Sequence, residues 1–144
     1  MKRQNESVSS VLKRHVVVLF VSFLSFGGAF GAGIDKTDIA YAPDLGAYGL
    51  GDLYLPAGAD ESTPVVLTIH GGGWSGGDRA SWCGVAKFFR DELGFAAFNI
   101  EYRLASADNR WPACGNDCVR AAEWLLSPAF TQVSGLSPKK IWIC

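Results

Sequence analysis

The chain has 144 residues, 49% of them hydrophobic, and its 13 Lys or Arg against 14 Asp or Glu leave a formal net charge of −1. That balance provides no basic patch and excludes nucleic acid as a partner. Four cysteines and two histidines include no second Cys or His pair beside the one C-x-x-x-C, so neither a metal site nor a cofactor is expected.

The N-terminus carries Lys2, Arg3, Lys13 and Arg14, then an apolar run over 16–26, then small residues over 27–33. This basic, apolar, small-residue order is that of a secretory signal peptide, assigned here to residues 1–33 with cleavage after Gly31 or after Gly33. The rival reading is an uncleaved anchor, because the uncharged stretch 16–34 approaches the roughly 20 residues that cross a bilayer. Secretion, or retention in the periplasm or cell envelope, is therefore expected, with a membrane as partner only if the segment is kept. Residues 34–144 carry nine Lys or Arg against 13 Asp or Glu, a formal charge of −4. They are enough for one small core but fall short of the roughly 200–250 residues of many single α/β domains.

Within 34–144, residues 39–41 and 51–55 read as short strands in a hairpin, joined by a turn region containing Pro43 and ended by Pro56. Residues 65–69 (Val-Val-Leu-Thr-Ile) read as a buried strand. Ser81 is a suitable N-cap for a helix with Trp82, Val85, Ala86, Phe89 and Leu93 on its apolar stripe, stopped by Gly94. Residues 95–100 form a nearly continuous apolar run, as a parallel strand covered on both faces requires. A second helix is expected over 113–126, opened by Pro112, ended by Ser127 and Pro128, and facing inward with Val119, Ala122 and Leu126. Lys139 and Lys140 lead into a last strand, 141–144. Strands alternating with helices imply parallel pairing and an α/β fold.

The motif with most chemistry is His70-Gly71-Gly72-Gly73-Trp74, placed directly after the strand 65–69. Three glycines without Cβ let the backbone turn its N–H groups towards a bound group, and fixed N–H dipoles stabilise the oxyanion formed when a carbonyl is attacked. Gly73-Trp74-Ser75-Gly76-Gly77 also fits the G-x-S-x-G pattern of a nucleophile elbow. An elbow serine stands immediately at a strand end and precedes its histidine, whereas Ser75 lies several residues beyond Ile69 and the only histidines are His15 and His70. Ser75 is therefore read as a loop residue.

Three stretches resemble one family: Leu53-Tyr54-Leu55-Pro56, His70 to Trp74, and Tyr102-Arg103-Leu104 followed by Trp111-Pro112-Ala113 and Asp117. Over nearly all of 38–144 the chain resembles the N-terminal half of an α/β-hydrolase of the secreted carboxylesterase and lipase group. It is similar to bacterial feruloyl and acetyl-xylan esterases and to hormone-sensitive-lipase-like enzymes. The resemblance implies a mostly parallel sheet with helices on both faces, oxyanion donors at the backbone N–H groups of Gly72 and Gly73, and a loop-shaping role for His70. It also implies that strand 141–144 leads into the elbow, so that nucleophile, acid and base follow Cys144. The expected function is hydrolysis of a small-molecule or polysaccharide-linked carboxylic ester, with residues 1–144 inactive alone. The alternative is a non-catalytic exported or membrane-anchored remnant that binds carbohydrate.

The remaining candidates divide between chemistry and packing. Arg103 and Asp117 are either a half-buried ion pair or two solvated charges. Trp74, beside the glycine loop, is the candidate for substrate binding; Trp111 is a second pocket candidate, and Trp82 fits the core stripe of its helix. Asp78 and Glu101 are read as surface or loop residues. An exported chain permits disulfides, and Cys114 with Cys118 is the candidate pair, provided Cys114 lies in the loop before the helix; Cys83 is the alternative partner.

Overall fold

The computed structural model describes residues 33–144. The signal segment, apart from Gly33, and His15 lie outside the described residues. The chain enters at β1 (Ile34–Ala40), passes through a 3₁₀ segment (Pro43–Gly49) and returns in β2 (Leu50–Leu55), antiparallel to β1. This is the expected hairpin, but its first strand starts earlier than 39. Residues 34–38 (Ile-Asp-Lys-Thr-Asp) lie exposed along an outer strand, where no buried face imposes an apolar alternation.

Next come β3 (Val65–Ile69), helix α1 (Arg79–Leu93), β4 (Ala96–Ile100), α2 (Ala113–Leu125), α3 (Pro128–Ser134) and β5 (Trp142–Ile143). The strand order is β1-β2-β4-β3-β5. β3 runs parallel to both β4 and β5, and β2 pairs with β4 antiparallel, so the sheet is mixed with a parallel C-terminal part. Every residue of β4 is buried, as its apolar run requires of a strand covered on both sides.

The sheet's two faces follow the period of two along each strand. Val65 and Leu67 join Leu53, Phe98 and Ile100 in the larger core, closed by Ala121 and Leu125 of α2 and Phe130 of α3. Val66, Tyr54 and Ala97 face the other way, onto Ala86, Cys83 and Phe89 of α1. Each buried Leu, Val or Phe contributes about 1.5–3 kcal/mol, which puts the stability of the chain in this two-sided packing.

Several local expectations are corrected. The N-cap of α1 is Asp78, whose Oδ1 accepts the Ser81 N–H at 2.7 Å, so the helix begins before Ser81. Gly94 ends it as expected, in the left-handed region at φ 68°. Leu93 is exposed, and Trp82 is half-buried rather than in the core. On α2 the buried residues are Cys114, Asp117, Cys118, Ala121 and Leu125, while Val119 and Leu126 face solvent and Ala122 is half-buried. The buried stripe of α2 includes two cysteines and a carboxylate, which a reading by apolar residues alone passes over. Pro128 opens α3 rather than only closing α2, since a proline in the first helical turn has no N–H to satisfy. Cys114 lies inside α2 with Cys118 one turn on, so the condition for their disulfide is not met; all four cysteines are free thiols.

Candidate active site

At the C-terminal end of β3 the backbone enters the left-handed region at Gly72 (φ 127°), Gly73 (φ 60°) and Trp74 (φ 66°). At Gly72 a Cβ would stand 2.0 Å from the Gly76 carbonyl oxygen, so no other residue fits without moving the loop. The Gly72 carbonyl accepts the N–H groups of Ser75 (3.2 Å) and Gly76 (3.1 Å), closing a tight turn. Among the described residues, the N–H groups of Gly72 and Gly73 donate to no protein acceptor. The loop borders a cavity of about 310 Å³ lined by Ile69, residues 70–74, Tyr102 and Cys144. Cys144 reaches it because β5 runs beside β3, with the Ile69 N–H donating to the Cys144 carbonyl at 2.9 Å.

Behind the loop lies a buried polar network. His70 is 2% exposed. Its Nδ1 lies 2.9 Å from the Gly71 carbonyl oxygen and its Nε2 3.0 Å from Glu101 Oε1. Its ring stacks on Tyr102 at 4.2 Å, and the Tyr102 hydroxyl donates to the His70 carbonyl at 2.9 Å. Burial pushes the Tyr102 phenol up to about 12, which keeps it a donor. Glu101 Oε2 also accepts the Arg79 N–H at 3.2 Å, and the Arg79 side chain pairs with Asp52 at 2.5 Å and with Asp38. Glu101 is thus a partner of the glycine loop and not a surface residue. The parallel register of β3 and β4 pairs Ile69 with Ile100, so the next residues, His70 and Glu101, become neighbours. Asp78 does sit at the surface, as the helix cap, and its hydrogen bonds from Ser81 hold its carboxyl below the usual range.

Arg103 and Asp117 form the ion pair. Arg103 Nε and Nη2 donate to the two carboxylate oxygens at 2.9 and 2.7 Å, its backbone N–H adds a third bond at 3.0 Å, and the Asp117 side chain is wholly buried. This ties the segment after β4 to α2. Trp74, which lines the cavity, is 5.6 Å from the Tyr102 ring and 6.2 Å from that of Trp111, and both indoles are exposed.

The structure therefore brings together His70, Gly72, Gly73, Trp74 and Trp111. It leaves Trp82 on α1 and Cys114 and Cys118 in the core under the sheet, where burial pushes the Cys118 thiol up to about 12. Ser75 lies within the turn of the loop, and His70, with both ring nitrogens engaged, is not free to serve it as a base. Among the described residues no group of three or more His, Cys, Asp or Glu is placed to hold a metal ion.

The BD-FAE family model matches residues 51–143. Tabersonine synthase of Catharanthus roseus is 31% identical over 98 residues, covering 63% of this chain and 30% of that protein. Among solved structures, a bacterial heroin esterase aligns with 28% identity and a TM-score of 0.59, covering 78% of this chain and 34% of that one. Esterase B of Lactobacillus rhamnosis aligns with 25% identity and a TM-score of 0.65, covering 77% and 34% respectively. The chain thus spans about a third of the length of these proteins.

Proposed function

The chain belongs to the BD-FAE family, its structural neighbours include bacterial esterases, and from that premise we propose that it supplies the oxyanion-binding part of a serine hydrolase of carboxylic esters. One observation carries the reading. Gly72 and Gly73, held in a conformation that only glycine adopts easily, offer unpaired N–H groups beside a cavity that the end of β5 also lines. A nucleophile delivered just beyond Cys144 stands next to those donors, because β5 neighbours β3. Each such donor is worth about 10²–10³ in kcat. Trp74, on the rim, contacts the acyl or alcohol part of a small or polysaccharide-linked ester. The basic and apolar N-terminus supports export of the protein to the envelope or medium.

The test uses the chain labelled with ¹⁵N-glycine and titrated with acetate and with a methylphosphonate, anions that mimic the charge of product and oxyanion. The Gly72 and Gly73 amide resonances are expected to move together and saturably, and the chain by itself is expected to hydrolyse p-nitrophenyl acetate no faster than buffer. Unmoved glycines, or turnover abolished by Ser75→Ala, overturns the reading. Binding of xylo-oligosaccharide with the glycines unmoved favours the carbohydrate-binding alternative.

A further inference from the structure

We propose that Glu101 is a positioning residue that aims the Gly72 N–H by way of His70 and the Gly71 carbonyl. The reason lies in the peptide unit. The Gly71 carbonyl and the Gly72 N–H belong to one planar trans peptide and point in opposite directions, so whatever grips the carbonyl sets the direction of the N–H. The Gly71 carbonyl can only accept, hence His70 Nδ1 carries the hydrogen of that 2.9 Å bond. The opposite ring nitrogen, Nε2, is hydrogen-bonded to Glu101 Oε1 at 3.0 Å. Glu101 is in turn anchored by the backbone N–H groups of Arg79 (3.2 Å), at the start of α1, and Tyr102 (3.4 Å), just beyond the end of β4. The carboxylate therefore refers the ring, and through it one peptide plane, to two elements outside the loop.

The contact is also closely packed. A Cβ at Gly77 (φ 89°) would lie 2.3 Å from the Gly71 oxygen and 2.7 Å from His70 Nδ1, so only glycine at 77 lets the backbone pass this close to the hydrogen bond.

Gly73 is aimed by different means. Its N–H shares a peptide plane with the Gly72 carbonyl, which is held by the Ser75 and Gly76 N–H groups inside the loop. The two donors thus have independent supports, and only one of them passes through Glu101. That separation distinguishes a positioning role from general support of the fold.

The proposal rests on reading the loop as an oxyanion hole, but its test needs no turnover. In the ¹³C,¹⁵N-labelled chain, Glu101→Met removes the acceptor at similar volume and Glu101→Gln keeps an oxygen there. The Met variant is expected to shift the Gly71 carbonyl and Gly72 amide resonances, with Gly73 unchanged. The Gln variant is expected to restore most of the parent Gly71 carbonyl and Gly72 amide resonance positions, and Gly77→Ala, which wedges the same contact, to reproduce the Met pattern. Equal movement of Gly72 and Gly73, or movement of neither, overturns the proposal. Should the substituted chains fail to fold, the unsubstituted one decides: a hydrogen-free Nδ1 in the ¹⁵N spectrum of His70 overturns it, and a protonated, slowly exchanging Nδ1 sustains it. An unmoved Gly72 leaves the hydrolase reading standing, whereas glycines that ignore anions defeat that reading and leave the positioning role intact.

Discussion

The two sides of β3 are finished to different degrees. On the β4 side, the polar groups of His70, Glu101, Asn99 and Thr68 bond to one another or to backbone, with His70, Asn99 and Thr68 buried and Glu101 only partly exposed. On the β5 side, Trp142 and Ile143 are exposed, as are Val119 and Leu126 of α2, and an apolar cleft of about 220 Å³ runs between that helix and the strand. The first side orders the glycine loop with residues of this chain alone. The second presents apolar surface that nothing among the described residues covers. A loop preorganised on one flank and open on the other is what one wall of a catalytic cavity requires, since such donors act only if they are aimed before the charge develops.

The sharpest break of the ordered side is at Asp117. Its carboxylate is wholly buried and takes three hydrogen bonds from Arg103, and removing one partner of a buried pair costs about 3–5 kcal/mol. Because Arg103 keeps some contact with water, Asp117→Ala is expected at the lower end, as a drop in the urea midpoint with an unchanged m-value. A loss of only a few tenths would show that the segment after β4 is held by something else.

Gly72→Ala and Gly73→Ala separate crowding from backbone strain within one loop. Both positions have positive φ, but an added methyl meets the Gly76 carbonyl at 2.0 Å in the first case and nothing within 4 Å in the second. Strain of this kind costs about 1–3 kcal/mol. Gly72→Ala should therefore lie at or above the top of that range and Gly73→Ala near the bottom, both read by urea unfolding. Equal losses would mean that the turn closed by Ser75 and Gly76 yields freely.

These regions also differ in how far the sequence discloses them. The strands 65–69 and 95–100, the stop at Gly94 and the glycine loop are legible because each depends on residues adjacent in the chain. The ion pair between Arg103 and Asp117 is accessible as one of two readings, since it joins a strand end to the next helix. Glu101 is not legible as a loop support: it stands 31 positions from His70, and only the parallel register of β3 and β4 makes them neighbours. Asp78 and Ser81 are both good caps, and the choice between them turns on which side chain reaches the other's N–H. The buried stripe of α2 includes a charge, and α3 begins at the proline that by sequence ends its predecessor.

A smaller effect is expected from Tyr102→Phe. It removes the 2.9 Å bond to the His70 carbonyl and keeps the stacked ring, so about 1 kcal/mol is lost at neutral pH. Its pH dependence has a definite sign. Burial raises the phenol from 10.0 to about 12, so the folded state holds this proton more tightly than the unfolded chain. The stability it contributes is full below about pH 10 and is lost as pH rises through about 12. Urea midpoints at pH 8 and pH 11 should fall further apart in the parent than in Tyr102→Phe. A gap of the same size in both would assign the alkaline loss elsewhere, for instance to Tyr41, whose phenol burial also raises.

The least stability should be lost on the open side. Val119, Leu126 and Ile143 are 56%, 51% and 63% exposed, and a side chain that stays in water in both states contributes nothing to the difference between them. Replacing all three, as Val119→Lys, Leu126→Gln and Ile143→Thr, should change unfolding free energy by no more than about 0.5 kcal/mol per site. The same changes should raise the concentration at which the chain remains monomeric in light scattering, because β5 is a short apolar edge with backbone groups free to pair with another chain. Should the triple variant instead lose several kcal/mol, and lose more at high protein concentration than at low, those side chains are buried in solution against a second copy. The open flank of β3 would then be an interface, and only the glycine loop would stand on the chain's own packing.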